Sequence, residues 1–155
     1  SNRTNIATHS PAVRFEMQQH GWIYLRVHLG ESTVCVHLSD VFSPFEELLS
    51  WLKMLDRHDI PAQFHIDEEG VEKTLAVFST DDMSRVLFRI VDRYTDEVFI
   101  EGIVDRIQLI EAFRLELRRF FNNDFDPTHW RGFDVGEEDG SGLKAFMLGD
   151  PWLTR

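Results

Sequence analysis

"GWIYLRVHLGESTVCVHLS", residues 21–39, decides the fold. Ile23, Leu25, Val27 and Leu29 alternate with polar or amphipathic residues, and so do Val34, Val36 and Leu38. A period of two marks half-buried strands, and two such runs around a Gly-X pair mark a hairpin. With Gly30-Glu31 as the turn, Val27 faces Val34, Leu25 faces Val36 and Ile23 faces Leu38. Every apolar partner then shares one face. The other face carries Tyr24, Arg26, His28, Cys35 and His37, with Tyr24 opposite His37 and Arg26 opposite Cys35.

Upstream, Val13, Phe15 and Met17 continue the alternation. A two-residue His20-Gly21 turn would set Met17 against Tyr24 and mix the faces. A three-residue Gln19-His20-Gly21 loop sets Met17 against Ile23 and Phe15 against Leu25, with Gly21 in the left-handed position that this loop needs. A one-residue slip would turn every side chain to the wrong face, so the register is well specified. Ser1-Asn2 reads as a remnant of tag removal, and residues 1–10 are expected to form a flexible N-terminus.

Downstream, "SPFEELLSWLKML" (43–55) reads as a helix. Ser43 is placed at the N-cap, Pro44 in the first helical position and Glu46 in a capping box. Phe45, Leu48, Leu49, Leu52 and Leu55 share a face, and the helix is expected to end near His58, before Pro61. "AQFHID", "KTLAVF", "RVLFRIV" and "EVFIEGIV" are short strands between turn residues. Asp105 caps a second helix, with Gln108 three residues on. Ile110, Phe113, Leu117, Phe120 and Phe121 form its buried stripe, and Asn122-Asn123 and Pro127 end it. Arg114 and Arg119 follow Glu111 and Glu116 by three residues, so the basic face of this helix, with Arg106 and Arg118, reads as ion-paired and solvated.

"FDVGEEDGSG" reads as a mobile acidic loop near 134–142. In "LKAFMLGDPWL", Phe146, Met147, Leu148 and Trp152 either pack back on the core or meet a partner. The expected fold is a single α+β domain over 11–155. It has two layers, an antiparallel β-meander sheet of about six to seven strands packed by two amphipathic helices.

Composition narrows the function classes. The net charge is -11, from 27 acidic and 16 basic residues, which repels phosphate backbones and suits capture of a basic partner. Nucleic-acid binding is therefore not expected. The single cysteine, Cys35, excludes an intramolecular disulfide and a thiolate zinc cage, and fits a reducing cytoplasm. No apolar run approaches the ~20 residues that span a bilayer, so no membrane role is expected.

"FHIDEEGVEK" (64–73) gathers His65, Asp67, Glu68, Glu69 and Glu72. Apolar parity pairs Phe64 with Leu75 and Ala62 with Val77, which puts the turn at Glu69-Gly70. Neighbouring strand residues point to opposite faces and do not converge on an ion. The stretch therefore reads as a solvated hairpin tip, and Asp67, Glu68, Glu69 and Glu72 are a candidate acidic dock for a basic partner. The mixed face of Tyr24, Arg26, His28 and His37 is a second candidate binding surface, since Tyr and Arg are favoured in interface hot spots. Arg26 lies among His28, Cys35 and His37 and opposes a cation there. Neither HExxH, CxxC, GxSxG nor a phosphate-cradling glycine loop occurs, and no catalytic residue, metal or cofactor is expected.

The pattern of "FSPFEELLSWL", "FHIDEEG", "VDRIQLIEAFRLELRRF" and "THW", over roughly residues 13–130, resembles a group of small, acidic, mostly uncharacterised bacterial proteins of the immunity-protein type. These are associated with polymorphic toxin and contact-dependent inhibition systems. The resemblance implies a non-enzymatic cytoplasmic protein that binds and neutralises one cognate toxin domain, and it assigns no binding residue. Two alternatives stand beside it. One is a structural or adaptor protein that self-associates, as a homodimer, through a sheet edge or the C-terminal apolar segment. The other is a metal-dependent hydrolase using His65, Asp67 and Glu69.

Overall fold

Both hairpins of the first sheet form in the register that their apolar pattern demands. In a computed structural model that describes residues 7–132 and 138–155, β2 (Ala12–Met17), β3 (Trp22–Leu29) and β4 (Ser32–Ser39) make a three-stranded antiparallel sheet. Met17 faces Ile23, Phe15 faces Leu25, and Val27, Leu25 and Ile23 face Val34, Val36 and Leu38. The 19–21 loop closes with Gln18 N–H donating to Trp22 O at 3.0 Å, and Gly21 takes its left-handed conformation at φ 86°.

The meander does not continue past β4. The chain passes through a 3₁₀ turn (Asp40–Phe42) and α1 (Phe45–Asp56), and returns as β5 (Ala62–Asp67), β6 (Glu72–Ser79), β7 (Arg85–Asp92) and β8 (Val98–Asp105). These form a second sheet in the order β1-β8-β7-β6-β5, where β1 (Thr8–His9) runs parallel to β8. The expected single antiparallel sheet is thus two sheets, one mixed and one antiparallel. The reason lies at the β4 edge. His37 N–H, which would have met the fourth strand of a continuing meander, donates instead to the Glu68 carboxylate at 2.8 Å. Thr8–His9, expected to be flexible, are held by this pairing with Ile103 and Val104, while residues 1–6 lie outside the described residues.

α2 (Arg106–Asn123) begins where Asp105 accepts the Gln108 N–H at 2.9 Å, the expected cap. The cap expected for α1 is absent. Pro44 occupies the N-cap without a side-chain bond, and Leu48 N–H donates to Pro44 O at 2.8 Å. Ser39, not Ser43, is the capping serine, and it accepts the Val41 N–H of the preceding 3₁₀ turn at 3.0 Å. Two further helices, α3 (Ser141–Leu148) and α4 (Pro151–Thr154), replace part of the expected acidic loop and tail. Of that loop, residues 134–137 lie outside the described residues.

Both helix stripes are buried as expected, and they join the inner faces of both sheets in one core. Its aromatic side chains pack edge-on or tilted. Trp51 sits 5.6 Å from Phe113, and Phe45 5.1 Å from Phe121 and 5.6 Å from Trp130. Such pairs contribute about 0.5–1.5 kcal/mol each beyond their buried area. The C-terminal segment packs back on α2 and is tied to α1 by polar contacts. Met147 and Leu153 are buried, Lys53 pairs with Asp150 at 2.7 Å, and Trp152 Nε1 donates to Asp56 at 2.8 Å. Phe146 stays out, half exposed. Among the described residues, no helix is long and apolar enough to cross a membrane.

Candidate functional site

The β5–β6 hairpin forms in the expected register, with Phe64 facing Leu75 and Ala62 facing Val77. Glu68 N–H donates to Val71 O at 2.8 Å, and Glu69 occupies the left-handed region at φ 64°. Glu69, Gly70 and Val71 at the turn are exposed, as expected, but Glu68 is not part of a solvated handle. The Glu68 side chain is only 3% exposed, pairs with Lys73 at 2.5 Å and accepts His37 N–H. Glu69 accepts the Ser39 hydroxyl proton at 2.6 Å. Two carboxylates of the candidate dock therefore clamp the hairpin to β4. A buried ion pair of this kind tolerates the loss of neither partner.

The other two members of the dock, Asp67 and Glu72, lie on a groove of about 700 Å³. Glu72 accepts from Arg93 at 2.9 Å and from the Tyr94 hydroxyl. The Tyr94 hydroxyl first, and then Arg93, hold its carboxyl below the usual range against partial burial. The groove is also lined by Val41, Phe42, Glu46 and Glu47 from the 3₁₀ turn and the start of α1, by Arg131, and by Asp139, Leu143 and Phe146 from the chain entering and forming α3. Arg131 pairs with buried Asp40, and Arg93 with Glu72. Glu46, Glu47, Asp67 and Asp139 form no ion pair among the described residues. With both cations neutralised by their own carboxylates, the groove keeps surplus negative charge. Glu46 and Glu47 also favour the first turn of α1 through the helix dipole.

The groove is apolar as well. Phe42 and Phe146 are each 48% exposed, and Val41 is 39% exposed. Nothing in the sequence brings these residues together, since they come from a turn and a helix about a hundred residues apart in the chain. The one signal in the sequence is the "FSPFEE" start of α1, which places adjacent Glu46 and Glu47 close after Phe42.

Tyr24, Arg26, His28 and His37 share the outer face of the smaller sheet, as expected. Tyr24 stacks on His37 at 4.5 Å, and Arg26 pairs with Glu16 at 2.9 Å and lies 6.0 Å from the Tyr24 ring. His28 bonds the Thr33 hydroxyl at 2.8 Å. Arg14 lies opposite Arg26, but Arg26 pairs with Glu16 and Arg14 lies 3.9 Å from Glu116, so this face carries little surplus charge. Burial pushes the Cys35 thiol up, with Arg26 opposing, which disfavours a reactive thiolate.

The hydrolase residues are not assembled. The His65 ring bonds the Thr74 hydroxyl at 2.7 Å, and Glu69 turns away to Ser39. Among the described residues, no group of three or more His, Cys, Asp or Glu is placed to hold a metal ion. Compared with known proteins, the chain matches no family model, no curated protein and no solved structure.

Proposed function

We propose that this chain is a non-enzymatic cytoplasmic binding protein of the immunity type, which occupies and neutralises a basic toxin domain through its acidic surface. The observation that carries the reading is the groove beside α1, where Glu46, Glu47, Asp67 and Asp139 stand without counter-charges of their own among the described residues. A cluster of uncompensated carboxylates in a net charge of -11 steers a cationic partner and speeds its encounter. Inhibition needs no chemistry from the inhibitor, since covering the partner's own site is enough.

The test is co-expression. The immobilised protein is used to capture its partner from the cell that encodes it, and the partner is released with a salt step. The recovered domain is then expressed alone and together with this chain. A basic domain that arrests growth alone and is silenced by co-expression supports the proposal. The protein alone in the eluate at low salt, or a captured domain whose effect co-expression leaves intact, overturns it.

A further inference from the structure

The acidic groove is lined by apolar side chains that charge attraction alone does not require. Phe42 and Phe146 hold about half of their surface open on the same groove, with Val41 and Leu143 beside them. Exposed apolar surface of this kind inside a polar rim marks an interaction site. Nothing in the local fold forces it. Met147 and Leu153, close to Phe146 in sequence, are buried, so the C-terminal segment has an apolar anchorage without Phe146. Ser39 and Asp40 are buried, yet Val41 and Phe42 immediately after them face outward.

We infer that the occupant of this groove is an amphipathic basic segment of the partner. It places an apolar side chain among Val41, Phe42 and Phe146, and flanking lysines or arginines against Glu46, Glu47, Asp67 and Asp139. The inference rests on the binding function proposed above and names the chemistry that the groove reads. Charge complementarity selects the occupant. The surplus carboxylates attract a cationic segment and reject an acidic one, and they repel nucleic acid. The apolar residues add what charge cannot, a slower off-rate, because exposed charges are screened beyond ~8 Å at physiological ionic strength. The outer face of the smaller sheet lies outside this contact, since Glu16 and Glu116 pair there with Arg26 and Arg14 and leave no surplus of carboxylates to draw the segment.

The probe is a synthetic helical peptide with lysines on one face and leucines on the other. Two controls accompany it, one with serine in place of leucine and one with glutamate in place of lysine. Saturable binding of the first peptide is expected, at least about tenfold weaker with serine and absent with glutamate. Glu46→Lys with Glu47→Lys, and separately Phe146→Ser, should each weaken binding by about tenfold or more. Arg26→Glu should leave it unweakened. Glu46→Gln with Glu47→Gln serves where the lysine pair disturbs α1. No saturable binding, or binding that ignores the groove substitutions, overturns the inference. Capture of the cellular partner separates the two levels. If the wild type and the groove variants capture it equally, the groove inference falls while the binding function stands. If neither captures a partner, the binding function itself falls.

Discussion

Glu116 on α2 accepts the backbone N–H of Phe15 on β2 at 2.7 Å, while Arg119, bonded to the same carboxylate, donates to the Phe15 carbonyl at 3.3 Å. Together the two side chains stand in for a neighbouring strand. β2 is the outer strand of the smaller sheet, and an open edge invites pairing with another chain. The helical pair of Glu116 and Arg119 explains its own spacing of three residues, and it also closes this edge. Glu116, and then Asp124, which Arg119 also meets at 2.6 Å, raise the Arg119 pKa further above its ordinary value, so the clasp stays charged.

Glu116→Ala should therefore cost about 2–3 kcal/mol, because a buried N–H is left without an acceptor. Glu116→Gln, whose amide oxygen can still accept, should cost less. Urea denaturation midpoints compare them, and equal midpoints for the wild type and Glu116→Ala would sink the clasp.

Glu68→Ala removes a buried carboxylate that holds Lys73 and His37 N–H. The expected loss is about 3 kcal/mol, since Lys73 is left without its partner. Simultaneous replacement of Asp67, Glu68 and Glu69 by Ala, which the hairpin composition alone would present as a harmless probe of a dock, should destabilise the fold by at least as much. Asp67→Asn alone should alter partner association without moving the unfolding midpoint. A stable Glu68→Ala variant would show that the Glu68 carboxylate does not hold the hairpin.

Two glycines separate strain from collision. A Cβ on Gly21 would lie 2.5 Å from the Asp40 carboxylate at φ +86°, whereas a Cβ on Gly70 meets nothing within 4 Å at φ +125°. Gly70→Ala should cost about 1–3 kcal/mol from backbone strain alone. Gly21→Ala should cost clearly more, because it also displaces Asp40 from Arg131 N–H, which it accepts at 2.8 Å. Thermal melts of the two variants order them, and the reverse order would refute the collision.

Acid should weaken the protein at its turns. Asp92 accepts the backbone N–H groups of Thr95 and Tyr94, Asp126 the Thr128 hydroxyl and N–H, and Asp82 the Ser84 hydroxyl and N–H. These bonds hold all three carboxyls below their ordinary value of 3.8. A depressed folded-state pKa stabilises above the unfolded value and loses that contribution as pH falls through the folded one. Stability should thus drop as pH falls below about 4. Asp92→Asn keeps an acceptor without a titrating charge, so it should make that drop shallower in a pH series of urea midpoints.

The local reading of the chain succeeded where neighbours in sequence are neighbours in space. Alternation and turn chemistry specified the hairpins at 17–23, 27–34 and 64–75, because one buried face leaves a single allowed register. Helix periodicity likewise located the buried stripes of α1 and α2. Tertiary structure alone decided how the hairpins meet. N–H groups at a strand edge donate to a strand carbonyl or a carboxylate alike, so nothing local told that Glu68 would take His37 N–H, that Glu116 would take Phe15 N–H, or that the meander would divide into two sheets there. The same holds for the groove. Acidic residues near in sequence were parted, two into the β4 clamp and two onto a surface where Phe42 and Phe146 joined them, because burial is set by which elements pack together and not by composition along the chain.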